Sequence, residues 1–92
     1  MSNSIVSENS GEKPGESPAL ELDATGLRCP LPLLKTRQAM RQLAPGHLLL
    51  VRATDSGARR DIPAYLRQSG HQLVRMLEQG DEFHFLIRMA PA

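Results

Sequence analysis

Residues 71–89, "HQLVRMLEQGDEFHFLIRM", carry the clearest structural pattern in the sequence. Its second half alternates apolar with more polar residues, which is typical of a strand with one buried face. The side chains that share this apolar face are Phe83, Phe85, Ile87 and Met89. Gly80-Asp81 separates this run from the preceding one, and such a dipeptide favours a tight turn between two strands. Residues 71–89 therefore predict a β-hairpin.

The segment before the hairpin predicts a strand, a turn and a short helix. "HLLLVRA", residues 47–53, is an almost continuous apolar run, compatible with a strand covered on at least one face. "TDSGARR" has turn composition. "DIPAYLRQSG" follows, with Asp61 as a cap, Pro63 in the first turn and Gly70 at the left-handed position after the last turn. This spacing predicts a helix of about two turns.

The first half of the domain predicts one more strand and one more helix. "ALELDA" alternates Leu20 and Leu22 with polar neighbours and stops at Thr25-Gly26, which indicates a short strand. "PLPLLKTRQAMRQL", residues 30–43, has apolar residues near helical spacing, opens with proline and ends before Pro45-Gly46. The predicted order is βαβαββ. It fits an α/β two-layer sandwich, a four-stranded mixed sheet with two helices on one face.

Composition and charge indicate how many domains the chain has, where in the cell to expect it and what kind of partner suits it. Ninety-two residues with 40% apolar content fit one small domain. Residues 1–18 are rich in Ser, Gly, Pro and Glu and are predicted to be a disordered tail, which leaves residues 19–90 as the domain. The sequence has neither a secretory signal pattern nor a membrane-length apolar run, so we expect a cytoplasmic protein. Residues 22–92 carry ten basic and six acidic groups, a mild excess that suits anionic ligands or acidic partners.

Cys29 is the one cysteine of the chain and lies at the predicted start of the first helix. Unpaired amides and the positive end of the helix dipole favour an anion there, so we expect the pKa of this thiol to be lowered. Arg28 beside it, with Lys35 and Arg37 on the following turns, should act in the same direction. A thiolate is a nucleophile that can accept a sulfane sulfur. With no second cysteine to resolve it, single-thiol transfer between proteins is the natural use, although a small buried residue would also fit Cys29.

Other kinds of site have less support from the residues. The three histidines are scattered and no paired-cysteine spacing exists, so we expect no metal site. "GARRD" lacks the spacing of a phosphate-binding loop. Aromatic residues for base stacking are few, so we expect no direct nucleic-acid binding. The lack of a membrane-length apolar run leads us to expect no membrane partner. The candidate contacts to a partner or an anion, which could instead be only solvated charges, are Lys35, Arg37, Arg59, Arg60 and Asp61.

Two blocks of the sequence resemble a known family. "DATGLRCPLP" is similar to the Asp-x-x-Gly-x-x-Cys-Pro-x-Pro signature of the TusA/SirA/YedF sulfur-carrier family, and "ATDSGARRDIPAYLRQSGH" resembles its second characteristic block. The resemblance covers about residues 20–89. The positions that match the first block are Asp23, Gly26, Cys29, Pro30 and Pro32, and those that match the second are Asp55, Asp61 and Pro63. Asp23 and Gly26 are also the residue types that shape a loop, one by hydrogen bonds and one by backbone freedom.

The resemblance implies that Cys29 carries sulfane sulfur as a persulfide, with no cofactor beyond that covalently held sulfur. A cysteine desulfurase or a rhodanese-like protein would load it, and a downstream protein would accept the sulfur, in stoichiometric transfer. Two other functions remain open from the residues: a non-catalytic binding or regulatory module that docks through its basic face, and a thiol redox sensor. The motif does not show whether the sulfur is used in tRNA thiolation, molybdenum-cofactor synthesis, sulfur oxidation or selenium metabolism.

Overall fold

A computed structural model describes residues 17–91 of the chain. Its elements follow in the order β1 (Leu20–Ala24), α1 (Leu31–Met40), β2 (Leu48–Ala53), α2 (Ala58–Ser69), β3 (Gln72–Gln79) and β4 (Glu82–Arg88). The predicted order βαβαββ is therefore confirmed. The tail predicted for residues 1–18 falls almost entirely outside the described residues and stays a prediction.

The four strands form one mixed sheet in the order β1-β2-β4-β3. β1 pairs with β2 in parallel, from Leu20 opposite Leu49 to Ala24 opposite Ala53. β4 is antiparallel to both β2 and β3. The β3–β4 hairpin turns at Gly80-Asp81 as predicted, and its register shifts between Leu73 and Arg75. Because β1 and β2 are parallel, the segments that follow them leave the sheet at the same edge.

Both helices cover one face of the sheet, and the core lies between the two layers. α1 contributes Ala39 and Met40, and α2 contributes Ala58, Ile62 and Leu66. The strands contribute the alternating apolar residues Leu49, Val51, Ala53, Phe83, Phe85 and Ile87, with Met89 just after β4. The face predicted from the alternation in residues 83–89 is thus the buried one. The two-layer sandwich is confirmed.

The opposite face of the sheet carries mixed polar and apolar side chains. Arg52 and Glu82 lie 3.5 Å apart across β2 and β4, and Glu82 is also 2.9 Å from His84 Nε2. Leu77 of β3 is 36% exposed on this face. Within residues 17–91, no helix has the length and apolarity needed to cross a bilayer.

The second helix begins earlier than the sequence predicts, and this difference shapes the site. α2 starts at Ala58 and runs for 12 residues, so the prediction of two turns beginning at Asp61 is wrong. Asp55 explains the early start, because its carbonyl accepts the N–H of Ala58 and its carboxylate accepts the N–H of Gly57. Pro63 accordingly lies inside the helix and not in its first turn. Gly70 does end the helix at a positive φ of 85°, as predicted.

Candidate functional site

Cys29 lies in the loop between β1 and α1 and its side chain is exposed. The loop is shaped by the residues before it. Asp23 accepts hydrogen bonds from the Thr25 N–H, at 3.0 Å, and the Thr25 hydroxyl, at 2.6 Å. Gly26 has a φ of 81° and donates its N–H to the hydroxyl of Thr54 at 2.8 Å. The Gly26 bond joins the loop to Thr54, the residue after β2, and so holds Cys29 near the start of α2.

The carboxylate of Asp61 is in contact with the sulfur. Cys29 Sγ donates a hydrogen bond to Asp61 Oδ2 over 3.4 Å, between residues 32 positions apart. Gly57 lies beside this contact, since a Cβ placed on it would be 3.5 Å from Cys29 Cβ and 3.8 Å from Asp61 Oδ2. The same hypothetical Cβ would be 2.8 Å from Asp55 Oδ2, so a side chain there would displace the Asp55 carboxylate. The side chains of Cys29, Asp55 and Asp61 therefore all lie close to Gly57, where the absence of a side chain leaves room for them.

These carboxylates raise the pKa of the Cys29 thiol, so the prediction of a lowered pKa is wrong. The largest cause is the hydrogen bond to Asp61, followed by desolvation and by the negative charges of Asp61 and Asp55. The Arg60 guanidinium acts in the opposite direction and lowers the pKa, but its effect is the smallest. The Cys29 thiol therefore keeps its proton to a higher pH than an ordinary free cysteine does.

The start of α1 offers few of the amide donors on which the sequence argument relied. Pro30 and Pro32 have no N–H. The N–H of Leu31 donates to the Arg28 carbonyl at 2.8 Å, and that of Leu34 donates to the Pro30 carbonyl at 3.1 Å. Leu33 supplies the remaining N–H of residues 30–34. The two prolines suit the first turn of a helix, but they also remove donors that would stabilise an anion there.

The other predicted site residues divide into those near Cys29 and those directed elsewhere. Arg28 and Lys35 are exposed on the loop and on α1. Arg60 lies by the site, with its Nε 3.5 Å from Asp61 Oδ1. Arg59 points to the hairpin instead: it bonds Glu78 at 3.1 Å and lies 5.4 Å from the Phe83 ring centre. An anion-binding role shared by Arg59 and Arg60 beside Cys29 does not follow from this arrangement.

A groove of about 610 Å³ lies between the two helices. Leu33 and Arg37 of α1 line one side, and Asp61 and Tyr65 of α2 line the other. Arg37 lies over the Tyr65 ring, 5.3 Å from its centre, and so links the two helices. Asp61 thus lines this groove and also contacts the sulfur of Cys29.

Histidines and acidic residues do not form a metal centre in the described part of the chain. No group of three or more His, Cys, Asp or Glu side chains in residues 17–91 could hold a metal ion. His47 and His71 accept backbone N–H groups through Nδ1, from Ala44 at 3.1 Å and from Ala90 at 2.8 Å. His84 pairs with Glu82 at 2.9 Å. The three imidazoles thus have separate partners in separate parts of the fold.

The contact between Cys29 and Asp61 is the feature that the sequence reasoning missed. The sequence indicates Cys29 as a candidate nucleophile and Asp61 as a helix cap or partner contact, but it does not by itself predict that their side chains meet. The predicted topology contained a usable signal. Two parallel strands, each followed by a helix, place the residues after both strands at one edge of the sheet.

Together, the fold and this site define a class: small α/β sandwich proteins that present one exposed cysteine at the start of the first helix. Comparison with known proteins gives the family. Residues 20–89 match the family described as "Sulfurtransferase TusA". The chain belongs to the TusA family, as the two sequence blocks indicated.

Individual relatives agree with this assignment. The sulfur carrier protein TusA of Allochromatium vinosum is 44% identical over 68 residues, which cover 74% of this chain and 90% of that protein. The sulfur carrier protein TusA of Pseudomonas aeruginosa is 48% identical over 67 residues, covering 73% and 85%. A solved structure, the SirA-like protein from Desulfitobacterium hafniense, has a TM-score of 0.69 at 22% identity and covers 77% of this chain and 97% of that one. At this low identity, the structural similarity supports the fold alone.

Proposed function

We propose that this protein is a sulfur carrier that holds sulfane sulfur as a persulfide on Cys29 and passes it to another protein. The observation that carries the proposal is the exposed thiol of the one cysteine, held on a hydrogen-bonded loop at the edge of the sheet. The relatives named sulfur carriers support the same role. With one cysteine in the chain, each molecule would carry one sulfur at a time.

Loading would transfer a sulfur atom without net oxidation. A donor persulfide, of a cysteine desulfurase or a rhodanese-like protein, presents its outer sulfur to Cys29. The bond from Cys29 Sγ to that sulfur forms, the donor's S–S bond breaks, and the donor leaves as a thiolate that takes up the proton of Cys29. Unloading repeats these steps with Cys29 as the leaving group and a thiol of the acceptor protein as the nucleophile.

The alternative of a thiol redox sensor fits the site less well. Sensor cysteines are accessible and have a low pKa, often with a resolving cysteine nearby. Cys29 is accessible, but its pKa is raised by Asp61 and the chain has no second cysteine. The other alternative, a docking module with an irrelevant thiol, predicts that alkylation of Cys29 leaves function intact.

Loading can be tested by intact mass. Wild type incubated with a cysteine desulfurase and cysteine, then desalted without reductant, is expected to gain one sulfur atom that dithiothreitol removes. Cys29→Ser should gain none, because a hydroxyl cannot form the persulfide. Wild type alkylated beforehand with iodoacetamide provides a matched control with native side chains elsewhere. Equal gain of sulfur by wild type and the serine variant would reject the proposal.

A further inference from the structure

Asp61 contacts Cys29 with one carboxylate oxygen and a cation with the other. Oδ2 accepts from Cys29 Sγ at 3.4 Å, and Oδ1 is 3.5 Å from Arg60 Nε. The Asp61 side chain is 27% exposed whereas that of Arg60 is 81% exposed. An exposed guanidinium at this distance is screened by water and neutralises its partner only weakly. The sulfur therefore meets a carboxylate whose charge is incompletely balanced.

The charged groups around the sulfur come mainly from the start of α2. Asp61 and Asp55 disfavour a negative charge on Sγ, and Arg60 favours it. On the α1 side, the N–H groups of Leu31 and Leu34 are already bonded to carbonyl oxygens and two prolines have none. Few donors thus remain to offset the two carboxylates. A thiolate at Sγ is disfavoured from one side and little supported from the other.

We propose that Asp61 is a positioning residue that masks the thiol of empty Cys29 as a nucleophile and directs the outer sulfur of loaded Cys29 toward solvent. This inference rests on the proposed function. In the empty form, the Sγ proton is donated to Asp61 and the nucleophile is masked. In the loaded form, Sγ bears no proton and the negative charge lies on the outer sulfur, about 2 Å further along the S–S bond.

The same carboxylate would also direct the carried sulfur. Repulsion between Asp61 Oδ2 and the outer sulfur anion favours rotamers that point this sulfur away from α2 and into solvent. An acceptor protein would then meet an exposed outer sulfur, whereas alkylating agents and oxidants would meet a protonated thiol in the empty protein. Asp61 thereby protects the carrier between rounds of transfer, at the cost of a slower nucleophile on loading and a poorer leaving group on delivery.

The inference can be tested on Asp61→Asn, which keeps the shape of the side chain and removes its charge. The unloaded protein is alkylated with iodoacetamide from about pH 6 to about pH 10, and the rate is followed by mass. We expect the midpoint of the profile to move to lower pH and the rate at pH 7 to rise about three- to tenfold, the size of one lost hydrogen bond. The lower intrinsic nucleophilicity of a more acidic thiol offsets part of the gain in thiolate.

The loaded protein supplies the second measurement. Sulfur release from the persulfide to cyanide, read as thiocyanate, is expected to rise in Asp61→Asn, because Cys29 Sγ is the leaving group in this step and a less basic thiolate leaves faster. Arg60→Gln should slow alkylation of the empty thiol, the opposite direction, because Asp61 loses its counterion. Glu21→Gln removes an equal charge from the middle of β1, on an exposed side chain, and should follow wild type in both measurements.

Two results would overturn the inference. If Asp61 serves only the first turn of α2, Asp61→Asn will lower the stability of the fold and leave the alkylation profile at its wild-type position. If release to cyanide slows in Asp61→Asn, Asp61 does not act by disfavouring a thiolate at Cys29 Sγ. Should Asp61→Asn fail to fold, the direction of the Arg60→Gln effect decides, since Arg60 is exposed. Failure of all variants and wild type to load sulfur would reject the proposed function, while alkylation still reports on Asp61.

Discussion

Cys29→Ala is expected to abolish release of sulfane sulfur and to leave the fold intact. The side chain is exposed, and its hydrogen bond to Asp61 reaches across the surface at the edge of the sheet, so its loss removes no core contact. The same change removes the sulfur atom that the proposal requires. After incubation with a desulfurase and cysteine, the variant should deliver no thiocyanate above the desulfurase alone, whereas wild type should deliver one equivalent per chain.

The fold of Cys29→Ala is checked by urea unfolding followed by circular dichroism. Its midpoint should coincide with that of wild type within the error of the measurement. A variant that still delivers sulfur at the wild-type level would show that Cys29 is not the carrier. A variant that fails to fold would show that Cys29 has a structural role that its exposure does not indicate.

Phe85→Ala is expected to produce the largest loss of stability among single changes in the sheet. Phe85 is fully buried in the middle of β4, opposite Val51 of β2 and Met76 of β3. Removing its ring leaves a cavity that the two helices cannot fill, and such changes cost about 3–5 kcal/mol. A domain of this size buries a modest fraction of its surface, so this loss is a large part of its stability.

Leu77→Ala is the matched control, since it removes a large apolar side chain from the adjacent strand on the opposite face. Leu77 is 36% exposed, and its loss should cost about 1 kcal/mol or less. The two variants are compared by urea unfolding at equal protein concentration. Equal losses in both would contradict the placement of the core between the helices and the sheet.

The fold could be predicted from local pattern because its elements are marked by their own residues. Alternation in residues 82–89 indicates a strand, Gly80-Asp81 indicates the turn, and Gly70 ends α2 with the expected positive φ. The start of α2 could not be placed this way. The sequence indicates Asp61 as the cap, whereas the N-cap is Gly57, in a turn closed by hydrogen bonds from Gly57 and Ala58 to Asp55.

The chemistry of the site was only half predictable. Position near a helix start identified Cys29 as a candidate nucleophile, but the sign of its pKa shift depends on groups distant in the sequence. Asp55 and Asp61 lie near Cys29 because β1 and β2 are parallel neighbours. The hydrogen bond to Asp61, desolvation and the charges of both carboxylates together raise the pKa of the thiol. Local charge counting near Arg28, Lys35 and Arg37 therefore gave the wrong direction.

The most direct test of the account is to locate the carried sulfur on the chain. Trypsin cuts after Arg28 and Lys35, so the loaded protein, digested without reductant, yields a peptide of residues 29–35 that contains the one cysteine. We predict that tandem mass spectrometry finds one additional sulfur atom on Cys29 in this peptide, and that dithiothreitol removes it. An unmodified peptide 29–35 from protein that had been fully exposed to an active donor would contradict the account.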